Sequence, residues 1–228
     1  MKREEVVARI AEIGLVPVVR VPSAALAVRA VESVLAGGVS IFEITMTVPD
    51  ALGVIRTLAG RFGGRALVGA GTVLSADDAR ACIDAGAQFI VSPGLDLATV
   101  EAARARGAAV MPGALTPTEV ITAWKAGADM VKIFPCSAMG GAKYLRALKG
   151  PLPDVKMLPT GGVSVATVEE YVLAGASALG IGGELVDVAA LEGGGGGGDG
   201  VVAAIADRAR ALVVALAAAR AKLRKPAS

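Results

Sequence analysis

The sequence predicts an α/β fold: a single-domain (β/α)8 barrel of the TIM type, spanning residues 1–228, with one additional helix at the N-terminus. Three observations lead there. Short β-branched runs alternate with Ala-rich segments of helical period, the signature of βα units around a parallel sheet. Glycines recur where each helical segment gives way to the next run. A length of 228 residues suits one barrel, and eight runs exceed the five or six usual in an open doubly wound sheet.

In chain order, residues 1–14 (MKREEVVARIAEIG) read as an amphipathic helix. They carry acids and lack the apolar core and small-residue cleavage site of a signal peptide, so a cytoplasmic protein is expected. The strands expected next are LVPVVRV (15–21), SIFEITM (40–46), ALVGAGT (66–72), FIVSPG (89–94), AVMPGAL (109–115), MVKIFPC (130–136), KMLPTGG (156–162) and ALGIGG (178–183). Between them a Ser, Thr, Pro or Asp opens each helix, and Gly37, Gly86, Gly107, Gly127 and Gly175 mark the returns. Residues 191–200, LEGGGGGGDG, have little to fix a conformation and read as a Gly-rich loop before the last helix.

Composition excludes several functions. Apolar stretches are broken by Gly, Pro or charge well before the roughly 20 residues needed to span a bilayer, so no membrane segment is expected. Net charge is +2 and aromatic residues make up 3%, with no basic stripe interleaved with stacking platforms, which argues against nucleic-acid binding. Cys82 and Cys136 are too few for a disulfide framework and lack metal-ligand spacing, so no metal and no cofactor is expected. The chain has no histidine, which removes the usual general base and the Ser-His and Cys-His nucleophile systems.

Barrel active sites lie at the C-terminal ends of the strands, so polar residues within or just after the predicted strands are the candidates. Lys132 interrupts the otherwise apolar MVKIFP. A lysine there must pair with an acid, reach out to the strand end, or shed its proton, because an ammonium isolated from water costs several kcal/mol. A neutral amine is a nucleophile toward carbonyl carbon. Glu43 occupies a similar position in SIFEITMT, sharing a strand face with Thr45 and Thr47. The two could form a structural ion pair, a nucleophile with its proton-transfer partner, or both. Strands ending in GAGT, PTGG and GIGG offer backbone N–H groups suited to anionic oxygens, although tight βα turns use glycine in any case.

Taken together, GGVSIFEITMTVPDA, VGAGTVL, QFIVSPG, MPGALTPTEV, MVKIFPCSAMGGAKYLRALKGPLPDVKMLPTGGVS and ALGIGGELV resemble the 2-keto-3-deoxy-6-phosphogluconate aldolases and 4-hydroxy-2-oxoglutarate aldolases, in order and across nearly the whole chain. The resemblance implies a metal-independent class I aldolase, typically a homotrimer, acting on a small phosphorylated 2-keto acid. It assigns Lys132 as the imine-forming lysine and Glu43 as the acid/base. Thr72 and Thr160 correspond to contacts of the pyruvyl part, with Pro93 and Phe134 packing around it. Gly161, Gly162, Gly182 and Gly183 correspond to the phosphate-binding turns, and Arg20 to an arginine many members carry after the first strand.

Two positions depart from the pattern. Thr47 stands where many members have Arg, and Gly183, followed by Glu184, stands where many have Ser. Both changes remove an anion contact. The resemblance therefore leaves open the unphosphorylated substrate 4-hydroxy-2-oxoglutarate, or the galactonate epimer. Two readings of other classes are a phosphate-binding barrel isomerase or synthase and a non-catalytic trimeric scaffold.

Overall fold

A computed structural model describes residues 1–187 and 199–223. Helix α1 (Arg3–Ile13) ends at Gly14, whose left-handed φ of 73° turns the chain into the first strand. The parallel strands are β1 (Leu15–Val19), β2 (Ile41–Thr45), β3 (Leu67–Gly71), β4 (Phe89–Val91), β5 (Ala109–Met111), β6 (Gly113–Ala114), β7 (Val131–Ile133), β8 (Met157–Pro159) and β9 (Leu179–Ile181). The helices between them are α2 (Ala24–Ala36), α3 (Ala51–Phe62), α4 (Ala76–Asp84), α5 (Leu97–Ala105), α6 (Pro117–Lys125), α7 (Ala142–Lys149) and α8 (Val168–Leu173), and the last is α9 (Asp199–Leu223).

One ladder runs β5-β4-β3-β2-β1-β9 and another β6-β7-β8. They are parts of one circuit. The fifth predicted run is divided into β5 and β6 by Pro112, which has no N–H to donate, while its carbonyl still accepts from Lys132 N at 2.9 Å. At the other junction a parallel bridge pairs Thr160 with Gly180 and joins β8 to β9. Eight strand positions therefore follow one another around a curled parallel sheet, as the alternating pattern predicts.

Every residue of β1, β2 and β3 is buried, as expected of parallel strands covered on both faces. Ser23, Asp50, Ser75, Asp96 and Thr116 accept backbone N–H bonds at their helix N-termini, and Thr116 forms a capping box with Glu119. The expected glycine returns hold with one change. Gly86, Gly107, Gly127 and Gly175 have positive φ, whereas at the second return Gly38 takes that conformation and Gly37 does not. Gly37 is needed for close packing: a Cβ there would fall 2.4 Å from that of Ala209 on α9. Through this contact α9 lies beside α2, with α8 on its other flank, and fills the eighth helical position.

Of the glycine run at residues 191–200, residues 191–198 lie outside the described part. Asp199 and Gly200 belong to the first turn of α9 and not to the expected loop.

Candidate active site

Arg20, Thr72, Phe134, Thr160 and Gly182 each stand one residue beyond the end of a strand, namely β1, β3, β7, β8 and β9. With Pro93 after β4, they ring the C-terminal mouth of the barrel. A cavity of about 370 Å³ opens there, lined by these six residues and by Lys132, Gly161, Gly162 and Gly183. The structure thus places every candidate residue on the cavity wall except Glu43, which does not line the cavity but whose carboxylate lies 3.7 Å from the Lys132 amine.

The central residue of β7 is Lys132, aligned with Gly113 of β6 and Leu158 of β8. It is 6% exposed, and its Nζ lies 5.2 Å from the ring centroid of Phe134 and 3.7 Å from Oε1 of Glu43. That last separation brings the charges together but is too long for a hydrogen bond. Among the described residues Glu43 Oε1 has no hydrogen-bond partner, although Glu43 is only 1% exposed. Burial pushes the Glu43 carboxyl above the ordinary glutamate value, and the nearby charges of Lys132 and Arg20 oppose the shift without cancelling it. Glu43 is therefore easily protonated for a carboxylate and sits beside a primary amine. Such a pair can pass a proton.

A second polar cluster fixes Arg20. Its guanidinium donates to Thr47 Oγ1 and Thr72 Oγ1, both at 2.9 Å. Thr45 Oγ1 donates to the carbonyl of Val19 at 3.2 Å, so the 2.8 Å contact between Thr45 and Thr47 must run from the Thr47 hydroxyl. The hydroxyls expected to share a face with Glu43 thus serve to anchor an arginine from the adjacent strand. Thr72 has φ 58°, a left-handed conformation rare for a β-branched residue and costing on the order of 1–3 kcal/mol. Its side chain receives the Arg20 bond from that position.

The PTGG turn is braced from behind. Gly161 and Gly162 have φ of 95° and 74°, and Tyr171 of α8, 2% exposed, donates its hydroxyl to the Gly161 carbonyl at 3.1 Å. Tyr171 also reaches Gly141 at the start of α7, where a Cβ would stand 3.1 Å from its oxygen. Burial disfavours the thiolate of both cysteines, raising the thiol of Cys82 to about 12 and that of Cys136 to about 11.

Sequence reasoning missed some of the wall. Val18 lines the cavity and could have been found from period two, since it shares a strand face with Arg20. Gly180 has a space requirement that no spacing rule reveals: a Cβ there would fall 2.1 Å from Thr160 Oγ1. Among the described residues no cluster of three or more metal-ligating side chains occurs, and no helix is long and apolar enough to cross a membrane.

A parallel barrel with an amine and an anchored guanidinium at its C-terminal mouth, and a carboxylate buried beside the amine, has its polar groups at the end where barrel enzymes carry their active sites. Comparison narrows this. Residues 6–195 match the family model described as KDPG and KHG aldolase. The KHG/KDPG aldolase of Escherichia coli strain K12 is 40% identical over 181 residues, covering 79% of this chain and 84% of that protein. A cube-shaped, porous protein cage designed by fusing symmetric oligomeric domains superposes with a TM-score of 0.83 at 32% identity, over 92% of this chain and 74% of that one. The KDPG aldolase of Legionella pneumophila, with pyruvate captured as a covalent carbinolamine, superposes with a TM-score of 0.80 at 28% identity, over 90% and 97% of the two chains. The chain belongs to the KDPG and KHG aldolase family.

Proposed function

We propose that this chain is a class I aldolase that cleaves 2-dehydro-3-deoxy-6-phosphogluconate to pyruvate and glyceraldehyde 3-phosphate. The observation that carries the reading is the buried Lys132 amine, lining the cavity with the Glu43 carboxyl 3.7 Å behind it.

The amine of Lys132 attacks the C2 carbonyl to give a carbinolamine, which loses water to form a protonated imine. Glu43, directly or through one water, takes the proton of the C4 hydroxyl. The C3–C4 bond breaks, its electron pair moves into the imine to give an enamine, and the aldehyde leaves. Glu43 returns its proton to C3, and hydrolysis of the imine releases pyruvate and restores Lys132. Arg20 and Thr72 hold the keto-acid carboxylate, Thr160 contacts the pyruvyl part, and Pro93 and Phe134 pack against it. The glycine turns after β8 and β9 face the distal end.

The same steps serve unphosphorylated 4-hydroxy-2-oxoglutarate, giving pyruvate and glyoxylate. The departure at Glu184, which lines the cavity, favours retaining that substrate as a second reading. We read the whole chain as one catalytic domain working in the cytoplasm as a homotrimer. The likeness to a cage built from symmetric oligomeric domains supports the assembly.

The test is borohydride reduction in the presence of pyruvate, followed by peptide mass mapping. The expected result is a pyruvyl adduct on Lys132. No adduct, or one on Lys143 or Lys149 of α7, overturns the reading.

A further inference from the structure

Aromatic residues make up 3% of the chain, and among the described residues Phe134 is the one that lines the cavity. It stands two residues after Lys132, so the two side chains leave the strand on the same face. The backbone beneath the ring is held from both sides. The Phe134 N–H donates to the carbonyl of Ala114 on β6 at 3.2 Å, and the Thr160 N–H, just beyond β8, donates to that of Ile133 at 3.0 Å. The Lys132 amine lies over the ring, 5.2 Å from its centroid. Phe134 is 36% exposed, a cost that an aliphatic side chain of similar size would bear equally. What only the ring adds is a negative π face turned toward the nitrogen.

Imine chemistry alternates the charge on that nitrogen. In the carbinolamine and in the enamine it is neutral, whereas the protonated imine that stands between them carries a positive charge where water has little access. Glu43 lies 3.7 Å away, too far to hydrogen-bond, and burial already inclines its carboxyl toward the neutral form. A ring face within about 6 Å of a cation attracts it, and more strongly where water is excluded. We infer that Phe134 is a catalytic residue whose ring face stabilises the positive charge of the imine on Lys132 Nζ, favouring the imine over its neutral neighbours. The inference rests on the aldolase reading of Lys132 and deepens it by giving the ring an electrostatic part beyond packing against the pyruvyl group.

The experiment replaces Phe134, by amber suppression in the full chain, with mono-, di- and trifluorinated phenylalanine. These keep the shape of the ring and progressively withdraw its negative face. The probe is saturating pyruvate labelled with carbon-13 at C2, followed by NMR as pH is raised. The imine signal is lost either to carbinolamine, by addition of water at C2 and release of a proton, or to enamine, by loss of a C3 proton. Nitrogen is neutral in both products, so the midpoint of the loss measures how well the site holds the cation. That midpoint should fall with each fluorine, by roughly one pH unit over the series, which is a tenfold change in the balance. Arg20, Glu43 and Glu184, the charged groups around the amine and along the cavity, are untouched by fluorination, so their fields are common to every member. Phe134→Leu keeps an apolar side chain without a ring and should lower the midpoint at least as far as the trifluorinated ring does. A midpoint unmoved across the series, or a leucine variant that matches wild type, overturns the role of the ring. Borohydride trapping of pyruvate by the wild type separates the two claims. Absence of an adduct on Lys132 sinks the aldolase reading, whereas an adduct with an unmoved midpoint sinks only the role of Phe134.

Discussion

Gly71 leaves the space that the Glu43 side chain occupies: a Cβ on Gly71 would stand 2.5 Å from Glu43 Oε1 and 2.9 Å from its carboxyl carbon. The residues lie on paired strands, Glu43 facing Gly69 across the ladder and Thr45 facing Gly71. The carboxylate thus leans along β2 into a gap made by a missing side chain.

Gly71→Ala should push the Glu43 carboxyl from its place beside Lys132 and lower kcat about a hundredfold, since a displacement of one ångström at a reacting group has that effect. Gly60→Ala is the control. That glycine lies on the exposed face of α3 with open space around it, and the change should stabilise the protein by about 0.5–1 kcal/mol without altering kcat. Steady-state kinetics and thermal unfolding of both variants check the pair. Equal kcat in the two would show that the position of Glu43 does not matter.

Lys132→Ala should abolish turnover and pyruvate trapping while the far-UV circular dichroism spectrum stays close to wild type. Glu43 can take up a proton once its cationic partner is gone, because burial already favours its neutral form. Loss of the fold in this variant would mark Lys132 as structural.

The pH profile should report Glu43. A base acts only when deprotonated, and burial holds this carboxyl above the ordinary 4.5. As pH falls, the base is therefore lost sooner than an ordinary glutamate would be, and the acid limb of log kcat/KM, which reports the free enzyme, should have its midpoint above 4.5. Glu43→Gln should lower kcat by about 10²–10⁴-fold, the usual contribution of a positioned acid/base. A wild-type midpoint at or below the ordinary value would contradict the assignment.

Arg20→Lys keeps a charge but loses the planar fork that reaches Thr47 and Thr72 together. Half-saturation of pyruvate trapping should rise about tenfold or more, the worth of a charge-assisted hydrogen bond. The maximal extent of trapping should change less. Unchanged half-saturation would remove Arg20 from the keto-acid site.

Tyr171→Phe deletes the bond to the Gly161 carbonyl and should cost about 1 kcal/mol in stability. If Tyr171 also positions the turn, KM for the full aldol substrate should rise several-fold while half-saturation by pyruvate, which does not extend to that wall, stays near wild type. Parallel changes in both would reduce Tyr171 to a purely structural role.

The eight strands were legible because each is a short apolar run between a helix return and a glycine-ended turn, a pattern that survives in one dimension. Lys132 and Glu43 stood out because each breaks such a run with a charge. The partners of these residues were not legible. That Thr47 holds Arg20, that Gly71 yields space to Glu43 and that Gly180 yields space to Thr160 all depend on strand register, which sets residues distant in sequence side by side. The division of the fifth run at Pro112 likewise follows from which face of the ladder lacks its donor. Glu184 could be noticed as a departure from a family pattern, but only the cavity shows that it lines the same space as Lys132.

The bridge between Thr160 and Gly180 joins β8 to β9, and Thr160 is also part of the cavity wall. The seam of the cylinder and part of the wall of the reaction chamber are therefore one piece of backbone. A chain whose seam is still apart has its lysine on β7 but no finished chamber around it. Recovery of pyruvate trapping during refolding should therefore report when that seam has closed.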